Sequence, residues 1–141
     1  RGVKLDLRDI PVFIEGNGER AEQILTSLAH GFSRQVHALK GSQRQMLHLS
    51  AVIASNFSNH MIRMAHDLMK KQGLEFHYLE PVVRAMIDKA FNEGPETGQT
   101  GPARRGDLET MDLHLELLDK EEDLAEIYAI LSKHIMKVYQ S

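Results

Sequence analysis

The chain has no cysteine, which excludes a disulfide framework and any thiolate chemistry and fits a cytoplasmic protein. It has no apolar run long enough to span a bilayer, and no stretch laid out as a signal peptide. Its formal charge of −3, with the signs mixed, lacks the basic excess by which nucleic acid is held. There is no internal repeat and no low-complexity tract. The chain opens Arg1-Gly2-Val3-Lys4 rather than with methionine, so a longer parent protein is expected.

Signatures of common chemistries are missing too. None of the eight histidines stands at His-x-x-x-His spacing, and His77 with Glu80 falls at an ill-defined helix start, so no metal site is expected. Ser50, Ser55 and Ser58 lie within a helical pattern, and no G-x-S-x-G elbow exists for a nucleophile. Gly16-Asn17-Gly18 follows a short strand and precedes a helix, but the residue three past Gly18 is Ala21 rather than glycine. No following strand ends in an acidic residue at the distance a ribose needs, so the chain is not expected to bind a nucleotide by itself.

What is present starts with size: 141 residues, 42% of them hydrophobic, give room for one domain of ordinary size with a real core. Its organising stretch runs from Gly41 to Gly73, with no proline or glycine between. Met46, Leu49, Ile53, Phe57, Met61, Met64 and Leu68 follow the spacing of one helical face. Leu47, Ala51, Ala54, Ile62, Ala65 and Met69 make a second stripe. At about 100° per residue the two stripes cover more than half the circumference, so this helix is expected to be wrapped by protein on several sides.

The remaining sector is narrow and polar. His48, Ser55, Asn59, Arg63 and His66 fall within roughly 60° on that wheel, with Asn56 beside them. A solvent-facing side explains Arg63 and His66 as well as any site does. For His48, Ser55, Asn56 and Asn59 the short side chains favour the wall of a binding site, because a solvated face more usually carries lysine and glutamate.

Before this helix, residues 10–15 (IPVFIE) read as a strand, Glu19 to Phe32 as an amphipathic helix and Val36 to Leu39 as a second extended piece. Strand, helix and strand in some forty residues make too little sheet to stand alone. Residues 1–40 therefore read as the trailing edge of a sheet domain, and 41–141 as an all-helical domain. After Gly73, a helix starts near Pro81 and stops at Glu93-Gly94-Pro95. Residues 96–106 read as a loop ending in TGPARRGD (Thr100 to Asp107), with Asp107 as N-cap of the next helix. That helix turns Leu108, Met111, Leu115 and Leu118 inward. A last helix, about Glu122 to Tyr139, turns Leu124, Ile127, Leu131, Ile135 and Val138 to the core. Arg104 and Arg105 stand just before a helix N-terminus, where a guanidinium fork suits a carboxylate or phosphate. A plain interhelical connection with two solvated arginines remains the other reading of that stretch.

Three stretches together resemble a known family: PVFIEGN (Pro11 to Asn17), HLSAVIASNF (His48 to Phe57), and TGPARRGD followed by Leu113-His114-Leu115. They are similar to the C-terminal part of the bacterial "Rossmann-like and domain of unknown function 2520" proteins, described as predicted short-chain NADP-dependent oxidoreductases. The resemblance covers nearly the whole chain. It implies a mainly α fold, a helical dimerisation domain around one long central helix, preceded by a β-α-β remnant of a Rossmann-like domain. The dinucleotide domain holding NADP or NAD would lie outside this chain. The helical domain would be similar to those of pyrroline-5-carboxylate reductase and 6-phosphogluconate dehydrogenase, giving dimer contacts and one wall of a substrate cleft.

Carried onto this sequence, the motif positions are His48, Ser55, Asn56, Thr100, Gly101, Pro102, Arg105, Gly106 and Asp107. The resemblance makes Ser55, Asn56, Thr100, Arg105 and Asp107 candidate substrate contacts, and the polar sector adds Asn59, with Arg105 preferred to Arg104 for an acidic group on a small substrate. Related hydroxyacid dehydrogenases place a lysine four residues before an asparagine on this helix, where this chain has Val52. That departure leaves His48 as the candidate acid or base. The partners implied are a second copy of the chain and a small acidic substrate, with no nucleic acid and no membrane. The rival readings are a non-catalytic helical dimerisation or scaffold module and a small-ligand sensor.

Overall fold

Residues 10–40 are folded around a parallel pair of strands, β1 (Val12–Ile14) and β2 (Val36–Ala38), with Val12 opposite Val36 and Ile14 opposite Ala38. Parallel strands need a long crossover, which α1 (Glu19–His30) supplies. The ladder is completed by the Val12 N–H donating to Gln35 O at 2.7 Å and the Leu39 N–H donating to Ile14 O at 2.9 Å. These details come from a computed structural model that describes residues 6–140; residues 1–5, at the head of the expected sheet remnant, and Ser141 lie outside the described residues.

Chain polarity alternates on β1: Ile14 is buried, while Phe13 points the other way and stacks on His37. Ala29 of α1 is buried too. Ser33, only 3% exposed, ties the strands' approaches together. Its hydroxyl donates to Ile10 O at 2.6 Å and accepts from the Gln35 N–H at 3.0 Å. A buried hydroxyl with both roles filled carries no desolvation penalty.

The chain then runs helical from Gly41 to Lys71. It comprises α2 (Gly41–Ala51), a π-helical segment (Val52–Phe57) and α3 (Ser58–Lys71). Gln43 starts it by accepting the Lys40 N–H at 2.9 Å. Gly73, with φ 67°, ends it, and the Leu74 N–H closes back on Met69 O at 2.9 Å. Two compact units divide the chain, residues 1–62 and residues 63–141, so their boundary falls inside this run, whereas sheet gives way to helix at Gly41.

One expectation about this helix is corrected. Met46, Leu49, Ile53 and Phe57, the first half of the apolar stripe, are exposed, Phe57 at 58%. Two short strands and α1 cannot cover so much helix surface. The stripe is half-buried only from Met61 onward. The chain is mainly α, as expected, but its central helix is not wrapped along its whole length.

Within residues 63–141, a 3-10 turn (Phe76–Leu79) leads into α4 (Glu80–Glu93), with Pro81 in its first turn. Gly94, at φ 91°, stops α4. The stretch read as a loop from 96 to 106 contains two single-turn helices instead, α5 (Pro95–Gly98) and α6 (Pro102–Arg105). Each opens on a proline, whose fixed φ suits a first turn. Then come α7 (Leu108–Leu117) and α8 (Glu122–Tyr139). Of the residues expected inward on α7 and α8, Leu118 is buried, while Leu108, Leu131 and Val138 are exposed. The buried small residues are Ala103 on α6 and Ser132 on α8, and α6 lies against α8.

Candidate functional site

The candidate residues fall into two sets, one on each unit. In the first, His48 is on α2, Ser55 and Asn56 are in the π-helical segment, and Asn59 is on α3. All four are exposed, and none of their side chains has a hydrogen-bond partner among the described residues. The widened segment was not legible in the apolar periodicity. Each residue in it advances by less than the α-helical 100°, so the wheel that placed His48 beside Asn59, Arg63 and His66 loses phase across it. Such insertions often mark functional positions, because they hold backbone groups away from their usual partners. Ser55 and Asn56 stand on this one.

Arg63 and His66 have a structural role. Arg63 Nε donates to Asp67 Oδ2 at 2.8 Å, and His66 Nδ1 lies 2.9 Å from Asp67 Oδ1. His66 also sets its ring edge-on to Phe76. The bond from His66, then that from Arg63, holds the Asp67 carboxyl below the usual carboxylate range.

The second set is built by the TGPARRGD stretch. Gly101 and Gly106 have φ of 102° and 69°, and they bracket the single turn of α6. Asp107 caps α7: its Oδ1 accepts from the Thr110 N–H at 3.1 Å and its Oδ2 from the Thr110 hydroxyl at 2.9 Å. These bonds, with a smaller contribution from Arg105, hold its carboxyl below the usual range, so it stays ionised. Arg105 Nη2 donates to Asp107 Oδ2 at 3.3 Å. Its remaining donors have no partner among the described residues, and its side chain is 64% exposed. Thr100 is exposed, and its hydroxyl is unpartnered among the described residues.

Arg104 is occupied. Its Nη1 donates to Gln99 O at 2.5 Å and lies 3.5 Å from Glu96 O. Its guanidinium sits 5.1 Å from the centre of the Tyr139 ring. The side-chain amide of Gln140 donates to Ala103 O at 3.1 Å and Arg104 O at 3.2 Å. Of two adjacent arginines, one is fastened to its own loop and the other is open. Sequence favoured Arg105 through the motif alone; the tie between Arg104 and the end of α8 is tertiary and had no local signal.

His114 was quoted in the family stretch without a role. Its Nδ1 lies 2.9 Å from the Tyr128 hydroxyl, and the pair lines an open cleft of about 840 Å³ with Leu68, Leu117 and Leu118. A neighbouring cleft of about 910 Å³ is lined by charges already paired in part, Arg63 with Asp67 and Lys71 with Glu121. Thr100, Arg105 and Asp107 line neither cleft. Among the described residues no group of three histidines and carboxylates could hold a metal ion. No helix among the described residues is long and apolar enough to cross a membrane.

The turn between β1 and α1 does not fit a dinucleotide. A Cβ on Gly16 would lie 2.6 Å from the Glu22 backbone nitrogen, so the chain itself requires that glycine. Glu19 and Glu22 place negative charge in the first turn of α1, where a pyrophosphate would have to sit.

The chain is mainly α with a β-α-β head, and sequence comparison places it in a family. The chain belongs to the family described as Domain of unknown function (DUF2520), whose model matches residues 10–135. A solved structure described as a "putative NADP oxidoreductase" from Bacteroides fragilis is 34% identical, with a TM-score of 0.90 over 96% of this chain. A solved protein of Thermotoga maritima shares the fold, at 23% identity and a TM-score of 0.77 over 95% of this chain. The chain spans about half the length of both, 52% and 55%. No curated protein matches it.

Proposed function

We propose that this chain is the C-terminal substrate and dimerisation part of an NAD(P)-dependent oxidoreductase, supplying one wall of the substrate cleft. The observation that carries this reading is the 34% identity to the Bacteroides protein across nearly all of this chain. The cofactor would be held mainly by the part of the relatives' length that this chain does not span, consistent with the poor fit of the Gly16–Gly18 turn.

Arg105 would bind an acidic group on a small substrate, and Asp107 would orient it. The open donors of Arg105 beside the occupied guanidinium of Arg104 support this. Ser55, Asn56 and Asn59 on the first unit, and Thr100 on the second, would each supply neutral hydrogen bonds, their polar groups being unpartnered among the described residues. His48 would exchange the proton, its imidazole being exposed and without a hydrogen-bond partner among the described residues. A second copy of the chain would cover apolar helix surface such as that of α4, where Val82 is 62% and Phe91 86% exposed. That surface alone would also serve a scaffold module.

The test is a side-chain NMR titration of the chain with succinate, a small dicarboxylate. The Arg105 Nε–Hε signal is expected to shift saturably, and Arg105→Ala to abolish binding. Succinate binding unchanged in Arg105→Ala would overturn the site assignment. Light scattering at several concentrations tests the dimer, and a monomer at all of them would overturn that part.

A further inference from the structure

We infer that Gln140 and Tyr139, at the end of α8, are positioning residues for Arg105. They clamp the turn that carries it and withhold Arg104 from the same ligand. This rests on the reading of Arg105 as the anion-binding group.

A single helical turn such as α6 leaves its last carbonyls without helical partners. The Gly106 N–H reaches Ala103 O at 3.3 Å and the Asp107 N–H reaches Pro102 O at 3.1 Å, and the Gln140 amide bridges Ala103 O and Arg104 O. An amide nitrogen has two hydrogens, so one side chain can serve both carbonyls. The bridge spans the residues on which Arg105 is built.

Gly106 supports the same conclusion. A Cβ there would lie 2.7 Å from Gln140 Nε2, so the glycine leaves room for the clamp as well as allowing its left-handed φ of 69°. Tyr139 completes the arrangement from the preceding residue. Its ring faces the Arg104 guanidinium while Gln99 O accepts from Nη1, which points that side chain back across its own loop. Neither contact touches Arg105. Together they determine which of two neighbouring guanidiniums is open, and from what backbone it projects. A bidentate ligand needs that backbone held, because a fork that swings loses its second bond.

The experiment is the succinate titration of the whole chain, repeated in Gln140→Met, which keeps the side chain's length but cannot donate, and in Tyr139→Leu. Each is expected to weaken succinate binding roughly three- to tenfold, the effect of losing one or two ordinary hydrogen bonds or a comparable contact. The Arg104 Nε–Hε signal, silent in the parent chain, is expected to begin responding to succinate. Tyr139→Phe, which keeps the ring face, should restore what Tyr139→Leu loses. A general loss of stability would not move the Arg104 signal in this way. If Arg105→Ala abolishes binding while Gln140→Met and Tyr139→Leu bind as the parent does, the positioning role is wrong and the site stands. If Arg105→Ala binds normally, the site itself is wrong and this inference goes with it.

Discussion

Asp107 takes two hydrogen bonds from one residue, Thr110, through the backbone N–H at 3.1 Å and the hydroxyl at 2.9 Å. Both favour the ionised carboxyl, whose pKa is lowered from 3.8. A lowered folded value contributes stability above the unfolded pKa, and that contribution disappears as pH falls through the folded value. Asp107→Asn should therefore lower the urea midpoint at pH 7, with an unchanged slope. The gap from the parent should begin to narrow below about pH 3.8 and close as pH falls through the lower value of the folded carboxyl. A gap independent of pH would show that the cap does not act through its charge.

Gly106→Ala has two sources of cost. The left-handed backbone accounts for about 1–2 kcal/mol in any residue with a Cβ. The contact with Gln140 adds to it, since the new carbon would lie 2.7 Å from Nε2. In a double-mutant cycle, Gly106→Ala should cost less in a Gln140→Ala background. Additivity in urea denaturation would mean the amide simply moves aside.

Ser33→Ala should destabilise the β-α-β head by about 1–3 kcal/mol, because it leaves the buried approach to Ile10 O and the Gln35 N–H without partners. Hydrogen exchange at the amides of Val12 and Leu39 would report it locally. Unchanged protection there would show that the strand pair does not depend on the serine.

Tyr128→Phe removes the hydroxyl that meets His114 Nδ1 at 2.9 Å and keeps the ring contact. The expected loss is about 1 kcal/mol, in the ordinary range for a partly exposed hydrogen bond, read from the urea midpoint. No loss would mean that water replaces the phenol.

Asn56→Ala separates a cleft from a scaffold. The side chain is exposed and unpartnered among the described residues, so thermal stability should change by no more than about 0.5 kcal/mol. If the proposed function holds, turnover by the oxidoreductase that carries this chain should fall sharply nonetheless. Full turnover would favour the scaffold reading.

What could be read from sequence follows how local each cause is. The helix starts at Pro81 and Asp107 and the stop at Gly94 were legible because the signal lies in the residue itself. The helix of Gly41 to Lys71 was legible from its apolar spacing. Its exposure was not, since periodicity says that a face is apolar and nothing about what covers it. The α6 turn inside the supposed loop was hidden by the glycines that flank it. Arg105 was named through its motif, but its difference from Arg104 depends on Tyr139 and Gln140, more than thirty residues away in sequence.

The π-helical segment is also a matter of residue count. A widened turn holds about one residue more than the α-helix it interrupts, so it behaves as an insertion absorbed without a loop. Removing any one residue between Val52 and Phe57 would let the helix close to ordinary pitch. Such a deletion would take away about one 100° step together with the lag the widened segment has built up, so His48 and Asn59 would keep nearly the phase they have now. Chain length is therefore more forgiving in this short stretch than in the regular helix on either side, where losing one residue would turn the two ends about 100° against each other.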